Sequence, residues 1–393
     1  MLLIFVTLIL MLAFLILEYK KHLLNVKSIP IRIHVNGTRG KSSVTRLIAA
    51  GLRSGGVKTV AKTTGTLPRF ILPDGSEENV YRFGAVNINE QIRIFRKAAS
   101  LKPEAIVIEC MAVRPELQWT CEHKIVKATI GVLTNARLDH VDEMGPTMND
   151  IAFSLANTVP VKSLFITSEH KYFDLYKAIA EKNSTNILPP SDPETISDEE
   201  IQKFDFVEHK ENVALALDVC AQVGVKREEA LEGMYTMEPD FGVLRIFPIH
   251  EMNKEIRFLN GFAANDNEST AKIYDMLNLR ENNEEPVFTV VNLRADRVTR
   301  TEELAFMIAR KVTSNYIVVI GTGTDLFMEE MEVYSFPQNK ILKMGNSSGK
   351  EVLDKIISLT PQKSVAIGIG NIAGIGIELL EEVEERTTLK SVV

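Results

Sequence analysis

Residues 31–54 read IRIHVNGTRGKSSVTRLIAAGLRS: an apolar run, a glycine-bearing turn and a helix-like stretch in immediate succession. This segment narrows the fold more than any other. Gly37 and Gly40 let the backbone approach an anion closely, and the helix behind them turns free N–H groups and a positive dipole end toward the same point. Lys41 offers a cation to terminal phosphates, and Ser42 offers a hydroxyl able to ligate magnesium. Asn36, Thr38, Arg39 and Ser43 complete the candidate nucleotide cradle. The loop is tight, with two residues between its glycines where the usual G-x-x-x-x-G-K-[ST] pattern has four. Arg39 adds a second cation beside Lys41, expected to meet phosphate or an acidic substrate.

Such a loop needs a strand before it and a helix after it, which is the grammar of a mostly parallel α/β sheet. The sequence supplies further strand candidates at 105–110, 128–135 and 163–167, with amphipathic stretches at 90–101, 149–157 and 210–224. A second alternation follows, with strand candidates at 256–263, 286–292, 315–323 and 364–370. The expected organisation is an anchor over 1–19, a central ATP-binding α/β domain over 20–244 and a smaller Rossmann-like α/β domain over 245–393.

Two clusters can serve the loop. Glu109 ends the very apolar strand AIVIEC, where an acid is costly without a partner. Magnesium beside phosphates, held by one or two carboxylates, is such a partner. The next strand ends in NARLDHVDEMG, which gathers Asn135, Asp139, His140 and Asp142 where ligands bind in such sheets.

The first residues are apolar from Leu2 to Leu17 apart from Thr7, and Lys20 and Lys21 follow. With no charge before the run and no small-residue cleavage site, this reads as an uncleaved, single-pass anchor near the lower limit of length. The trailing lysines place the remainder in the cytoplasm. A net charge of −7 and no basic block speak against a general nucleic-acid binder. Cys110, Cys121 and Cys220 form no C-x-x-C pair and suit a reducing compartment.

Taken together, GTRGKS, the strand-end Glu109 and N-x-x-x-D-H-x-D over 135–142 resemble the ATP-dependent amide ligases of the Mur ligase and folylpolyglutamate synthase group. The loop there is typically G-T-N-G-K-[ST], with the same short spacing. The resemblance implies Lys41, Glu109, His140 and Arg245 as catalytic residues, with Ser42, Thr64, Glu109 and His140 near magnesium. TTGT (63–66) resembles the threonine-rich loop of that group, with Thr66 toward the substrate. Asn212 resembles its adenine-contacting asparagine, and Arg245 its ATP-contacting linker arginine. FAAND (262–266) resembles the stretch opening its C-terminal domain, with Asn265 toward the substrate. Leu155 stands where several members carry a lysine, often carbamylated, that holds a second metal. Asn260-Gly261 replaces an expected acid, and Ala264 and Asp266 replace a His and a Pro.

The segments KTTGT, ECMAV, NGFAAND, NLRADRVTR and GIGN resemble, within this group, the poly-γ-glutamate synthases over nearly the whole chain. That resemblance implies ATP-driven activation of a γ-carboxyl as an acyl phosphate, followed by attack of an amine to extend poly-γ-glutamate. Arg294, Arg297 and Arg300 would then clamp the carboxylates of glutamate or its polymer. Small integral-membrane partners of the CapC/PgsC and CapA/PgsA type are implied, and a homo-oligomer is compatible. The rival readings are a ligase for another carboxylate acceptor and a membrane-tethered ATPase that drives polymer export.

Overall fold

β1 (Ile31–Asn36) lies in the middle of an eight-stranded sheet, between β5 (Ala105–Glu109) and β6 (Ile130–Leu133), both parallel to it. The computed structural model describes residues 2–65, 68–82, 87–204, 206, 208–239, 245–262, 274 and 285–388. Thr66 and Asn265, with Ala264 and Asp266, lie outside the described residues. The chain divides into two compact units, Met1–Phe204 with Glu208–Asp240, and Asp205–Val207 with Phe241–Val393.

In the first unit β2 (Thr59–Lys62) extends the parallel sheet beyond β5. β3 (Arg69–Ile71) and β4 (Glu77–Asn79) close that side as antiparallel strands. β7 (Leu164–Thr167) and β8 (Asn186–Ile187) continue it beyond β6. Every residue of β5 is buried, as befits a central strand covered on both faces. α2 (Lys41–Ser54) packs on α9 (Lys210–Val223) and α10 (Arg227–Tyr235) over one face. Between these lie α3 (Glu90–Ser100), α4 (Pro115–Thr120), α5 (Val141–Met144), α6 (Met148–Leu155), α7 (Phe173–Lys182) and α8 (Asp198–Ile201). Leu155 is buried among Ile151, Phe165 and Tyr176, so its position supplies packing and no metal ligand.

The second unit is a six-stranded sheet in the order β13-β12-β11-β14-β10-β9. These strands are β9 (Ile246–Glu251), β10 (Lys254–Asn260), β11 (Val287–Leu293), β12 (Tyr316–Gly321), β13 (Ile341–Gly345) and β14 (Lys363–Gly370). Among the described residues only β9, an edge strand bearing Pro248, runs antiparallel in this sheet. α11 (Val298–Lys311), α12 (Thr324–Val333), α13 (Gly349–Leu359) and α14 (Ile375–Thr388) alternate with them.

The N-terminal helix is longer than the expected anchor. α1 (Leu2–Lys27) runs past residue 19 into the first unit, where Val26 in its last turn and Ile29 just beyond its end are buried. His22 Nε2 lies 2.9 Å from the Ile125 carbonyl, and Arg96 pairs with Glu18 at 2.7 Å. Among the described residues no helix is long and apolar enough to cross a membrane. The run Leu2–Leu17 would rise only about 24 Å as a helix, short of a hydrocarbon core of about 30 Å. Glu18, Lys20 and Lys21 then follow at once. Every large apolar side chain from Ile4 to Leu17 is nevertheless exposed.

Beneath β1 lies a buried ion pair, His34 Nδ1 with Glu122 Oε2 at 2.7 Å. Burial alone would lower the imidazole pKa, but the neighbouring Cys110 and the Glu122 hydrogen bond raise it from 6.5 to about 10. Because the folded value lies above the unfolded one, the stabilisation is complete below about pH 6.5 and fades as pH rises through about 10. Glu122→Gln should therefore cost about 3–5 kcal/mol in urea unfolding at neutral pH and below. That deficit should shrink toward high pH, and a pH-independent deficit would contradict the pairing.

Candidate active site

The tight loop is held by the strand beside it. Gly37 has φ 135°, and a Cβ there would lie 2.0 Å from Thr134 Oγ1. Gly40 caps α2 with φ 77°, and a Cβ there would meet Asn212 Oδ1 at 2.8 Å. Both positions therefore exclude side chains for two reasons, backbone conformation and space. Asn135, just past β6, clasps the turn between them. Its Oδ1 accepts from Thr38 Oγ1 at 2.8 Å and from the Arg39 N–H at 3.2 Å, and its Nδ2 donates to the Arg39 carbonyl at 3.2 Å. Thr134 Oγ1 donates to the same carbonyl at 2.6 Å.

Lys41 folds back over the loop, donating from Nζ to the carbonyls of Gly37 at 2.7 Å and Thr38 at 3.2 Å. Those bonds hold the ammonium at the mouth of the cradle. Ser43 follows in the first turn of α2, half-buried. Asn36 departs from expectation. Its buried amide donates to Gln118 Oε1 at 2.8 Å and Thr158 Oγ1 at 3.1 Å, so its side chain braces the sheet.

Glu109, Ser42 and Thr64 come together as the sequence suggests. Glu109 Oε2 accepts from Ser42 Oγ at 2.8 Å and from the Thr64 N–H at 2.7 Å, with the carboxylate 3 % exposed. Gln91 Nε2 fixes the same residue through its carbonyl at 3.1 Å. A carboxylate beside a phosphate loop with a hydroxyl within hydrogen-bond reach is a donor set suited to magnesium.

His140 makes its contacts within its own segment. It sits at φ 49°, half-exposed, with Nδ1 3.9 Å from Glu143. Among the described residues no three His, Cys, Asp or Glu side chains are gathered for one ion. Arg39 leans toward Asp139, Nε to Oδ2 at 3.6 Å, linking the loop to the 135–142 segment. Asn212 lies against Gly40 and donates from Nδ2 to Glu208 Oε1 at 2.7 Å. Glu208 is buried, and burial raises its pKa despite that bond.

Sequence reasoning missed Lys62. Its side chain is fully buried, with Nζ 2.6 Å from Glu90 Oε1. Arg82 Nε meets the other oxygen of that carboxylate at 2.6 Å. Burial lowers the Lys62 pKa, while Glu90 and then Glu109 oppose the shift, so this cation belongs to the field around Glu109. The available signal was a lysine immediately before TTGT, at the end of an apolar strand.

In the second unit Arg245 rests 5.7 Å from the Phe247 ring centre, and its carbonyl accepts from the Asn260 N–H at 2.9 Å. Arg294, Arg297 and Arg300 are brought together around a cavity of about 40 Å³, with Asn292 and Asn371 in its wall. Arg294 is forked onto Asp296 at 2.6 and 2.9 Å. Asn292 Nδ2 donates to the carbonyls of Asn371 at 2.5 Å and Ala373 at 3.0 Å, fixing NLRADR against GIGN.

Comparison with known proteins gives concordant results. Residues 35–223 match the Mur ligase middle domain, and 246–386 match the poly-gamma-glutamate synthase CapB C-terminal domain. The chain is 35% identical over 371 residues to the capsule biosynthesis protein CapB of Bacillus anthracis, covering 94% of this chain and 79% of that one. It is 34% identical over 373 residues to the PGA synthase CapB of Bacillus subtilis (strain 168), covering 94% of each. E. coli FolC in complex with ADP shares the fold, with a TM-score of 0.63 at 14% identity over 94% of this chain and 93% of that one.

Removing the clasp tests the loop. Asn135→Ala should cost about 1–3 kcal/mol in urea unfolding and abolish most of the thermal stabilisation that ATP confers. An unchanged ATP-induced shift in Tm would mean the loop holds its shape without Asn135.

Proposed function

From the premise that the chain belongs to the CapB family of poly-γ-glutamate synthases, we propose that its tight loop and buried Glu109 activate the γ-carboxyl of glutamate as an acyl phosphate. The chain is an ATP-dependent amide ligase that makes poly-γ-glutamate. The observation that carries the finer reading is the meeting of Ser42, Thr64 and Glu109 at the mouth of the loop.

A carboxylate is a poor electrophile, so its oxygen first takes the terminal phosphoryl group of ATP, releasing ADP. An α-amine then attacks the carbonyl carbon, the C–O bond to phosphate breaks, and phosphate leaves as the amine gives up a proton. In the first step the protein mainly positions reactants and offsets charge. Loop N–H groups and Lys41 face the terminal phosphates; Lys41 exchanges its bonds to the Gly37 and Thr38 carbonyls for phosphate oxygens. Ser42 and Glu109 would hold magnesium, which when bound supplies positive charge against the transferring phosphate. Lys62, through Glu90 and Arg82, keeps the surroundings of Glu109 electrically balanced without competing for its oxygens. Asn212, held by Glu208, lies against Gly40 and contacts the adenine. His140 and Arg39, on neighbouring segments, assist at the reacting phosphate, and Arg245 contacts ATP. Arg294, Arg297 and Arg300 take the carboxylates of glutamate or of the growing chain, a role suited to planar, always-charged guanidinium groups.

The bare apolar helix from Ile4 to Leu17 supports association with the cytoplasmic membrane or with membrane helices of partner subunits of the CapC/PgsC and CapA/PgsA type. Such burial covers a surface too apolar to be left in water.

Hydroxylamine trapping tests the central step. With ATP, magnesium, glutamate and the partner subunits, the protein should yield glutamyl hydroxamate. Lys41→Ala and Glu109→Gln should each reduce that yield about a hundredfold or more. Full activity in either variant would remove its residue from the mechanism. Absence of both hydroxamate and glutamate-dependent ADP release in the unmodified protein would sink the ligase reading.

A further inference from the structure

A large cavity in the first unit lies away from the nucleotide loop. It has a volume of about 820 Å³ and opens at the opposite end of the sheet, where β1, β6 and β7 begin. Arg32, near the start of β1, lines it. The loop lies beyond the far end of that strand, a full strand length of about 20 Å away. ATP held by the loop therefore does not reach this groove.

The groove is cationic in a chain whose net charge is −7. Its charged lining comprises Arg32, Lys127, Lys162 and Lys182 against the single acid Glu122. That acid is already satisfied: one oxygen pairs with His34 at 2.7 Å and the other accepts the Ala128 N–H at 2.9 Å. The three lysines are exposed, and among the described residues no ion pair is formed by any of them. Arg32 spends its guanidinium on the carbonyls of Lys127 and Ile29, at 2.9 and 2.7 Å, and so adds fixed positive charge to the groove wall. Trp119 and Phe153, 43% and 59% exposed, give it apolar surface as well.

A ligand matching this lining carries many negative charges along a partly aliphatic backbone and is longer than one amino acid. Resting on the proposed polymerase activity, we infer that the groove holds the poly-γ-glutamate chain itself, a polycarboxylate with methylene spacers, at a site distal to bond formation. Concavity favours this occupant over an anionic membrane surface, which is flat. Retention at a second site keeps the growing chain from leaving between additions, so it raises product length. The position also makes geometric sense. α1 joins β1 at this same end of the sheet, so the polymer would be held where the exposed apolar helix meets the ligase unit.

Direct binding of poly-γ-glutamate oligomers of defined length to the full chain, read by fluorescence anisotropy, tests the proposal. The double variant Lys162→Glu/Lys182→Glu should bind long oligomers about tenfold more weakly or worse. The unmodified protein should show binding that strengthens with oligomer length and weakens with salt. Polymer made by the variant with its partner subunits should be shorter. Lys162→Gln/Lys182→Gln, which removes charge without reversing it, should fall between the two. Equal affinity in all three proteins would overturn the proposal. So would loss of binding to phosphatidylserine vesicles with oligomer affinity retained, which would give the groove to lipid. The ligase reading fails separately, through absence of glutamate-dependent ADP release in the unmodified protein, whereas oligomer binding is read without turnover.

Discussion

A carboxylate buried at the end of a central strand is the constraint around which the first unit is arranged. Glu109 has almost no contact with water, and an isolated charge there would cost several kcal/mol. Two donors on different segments, the Ser42 hydroxyl and the Thr64 N–H, meet one of its oxygens. The Gln91 amide fixes its backbone. These bonds draw the start of α2, the loop after β2 and the start of α3 toward the end of β5. Lys62 is buried nearby for the same reason: its partner Glu90 starts α3, and the field of Glu109 favours its charge. The phosphate loop, the carboxylate and the threonine loop form one cooperative arrangement, and losing any member leaves buried charge without compensation.

The loop depends equally on β6. Asn135 returns to it with acceptor and donor atoms both engaged, and Thr134 occupies the space beside Gly37. The short spacing between the two glycines is thus matched by an external clasp. A longer phosphate loop wraps its anion with its own backbone. This one is shaped by its neighbour, which couples the nucleotide site to the 135–142 segment that carries Asp139 and His140.

Much of this was legible in the sequence because it is local. The strand, turn and helix around Gly37 and Gly40 are contiguous, and the apolar strand ending in Glu109 announces its own anomaly. The arginines of NLRADRVTR share one short segment, and they line one small cavity. What escaped depends on contacts between distant segments. The clasp by Asn135 follows from the pairing of β1 with β6, and the bracing role of Asn36 from α4 and the turn at Thr158 packing against β1; no local pattern encodes either. β3 and β4 are three residues long and show no alternation to read. Lys62 carries no local sign of its role, since only its partner on α3 reveals it as a buried cation. The continuation of α1 past residue 19 into the folded unit was not legible, because hydropathy marks an apolar run without revealing where its helix ends.

The central claim is that the γ-carboxyl of glutamate is phosphorylated before the amide forms. Glutamate labelled with heavy oxygen in its γ-carboxylate tests this directly, by mass analysis of the phosphate released during polymerisation. The account predicts one labelled oxygen in the phosphate for every amide bond made, because the carboxylate oxygen leaves with the phosphoryl group. Phosphate free of label while polymer accumulates would contradict it, since ATP would then be hydrolysed by water and spent on something other than the bond.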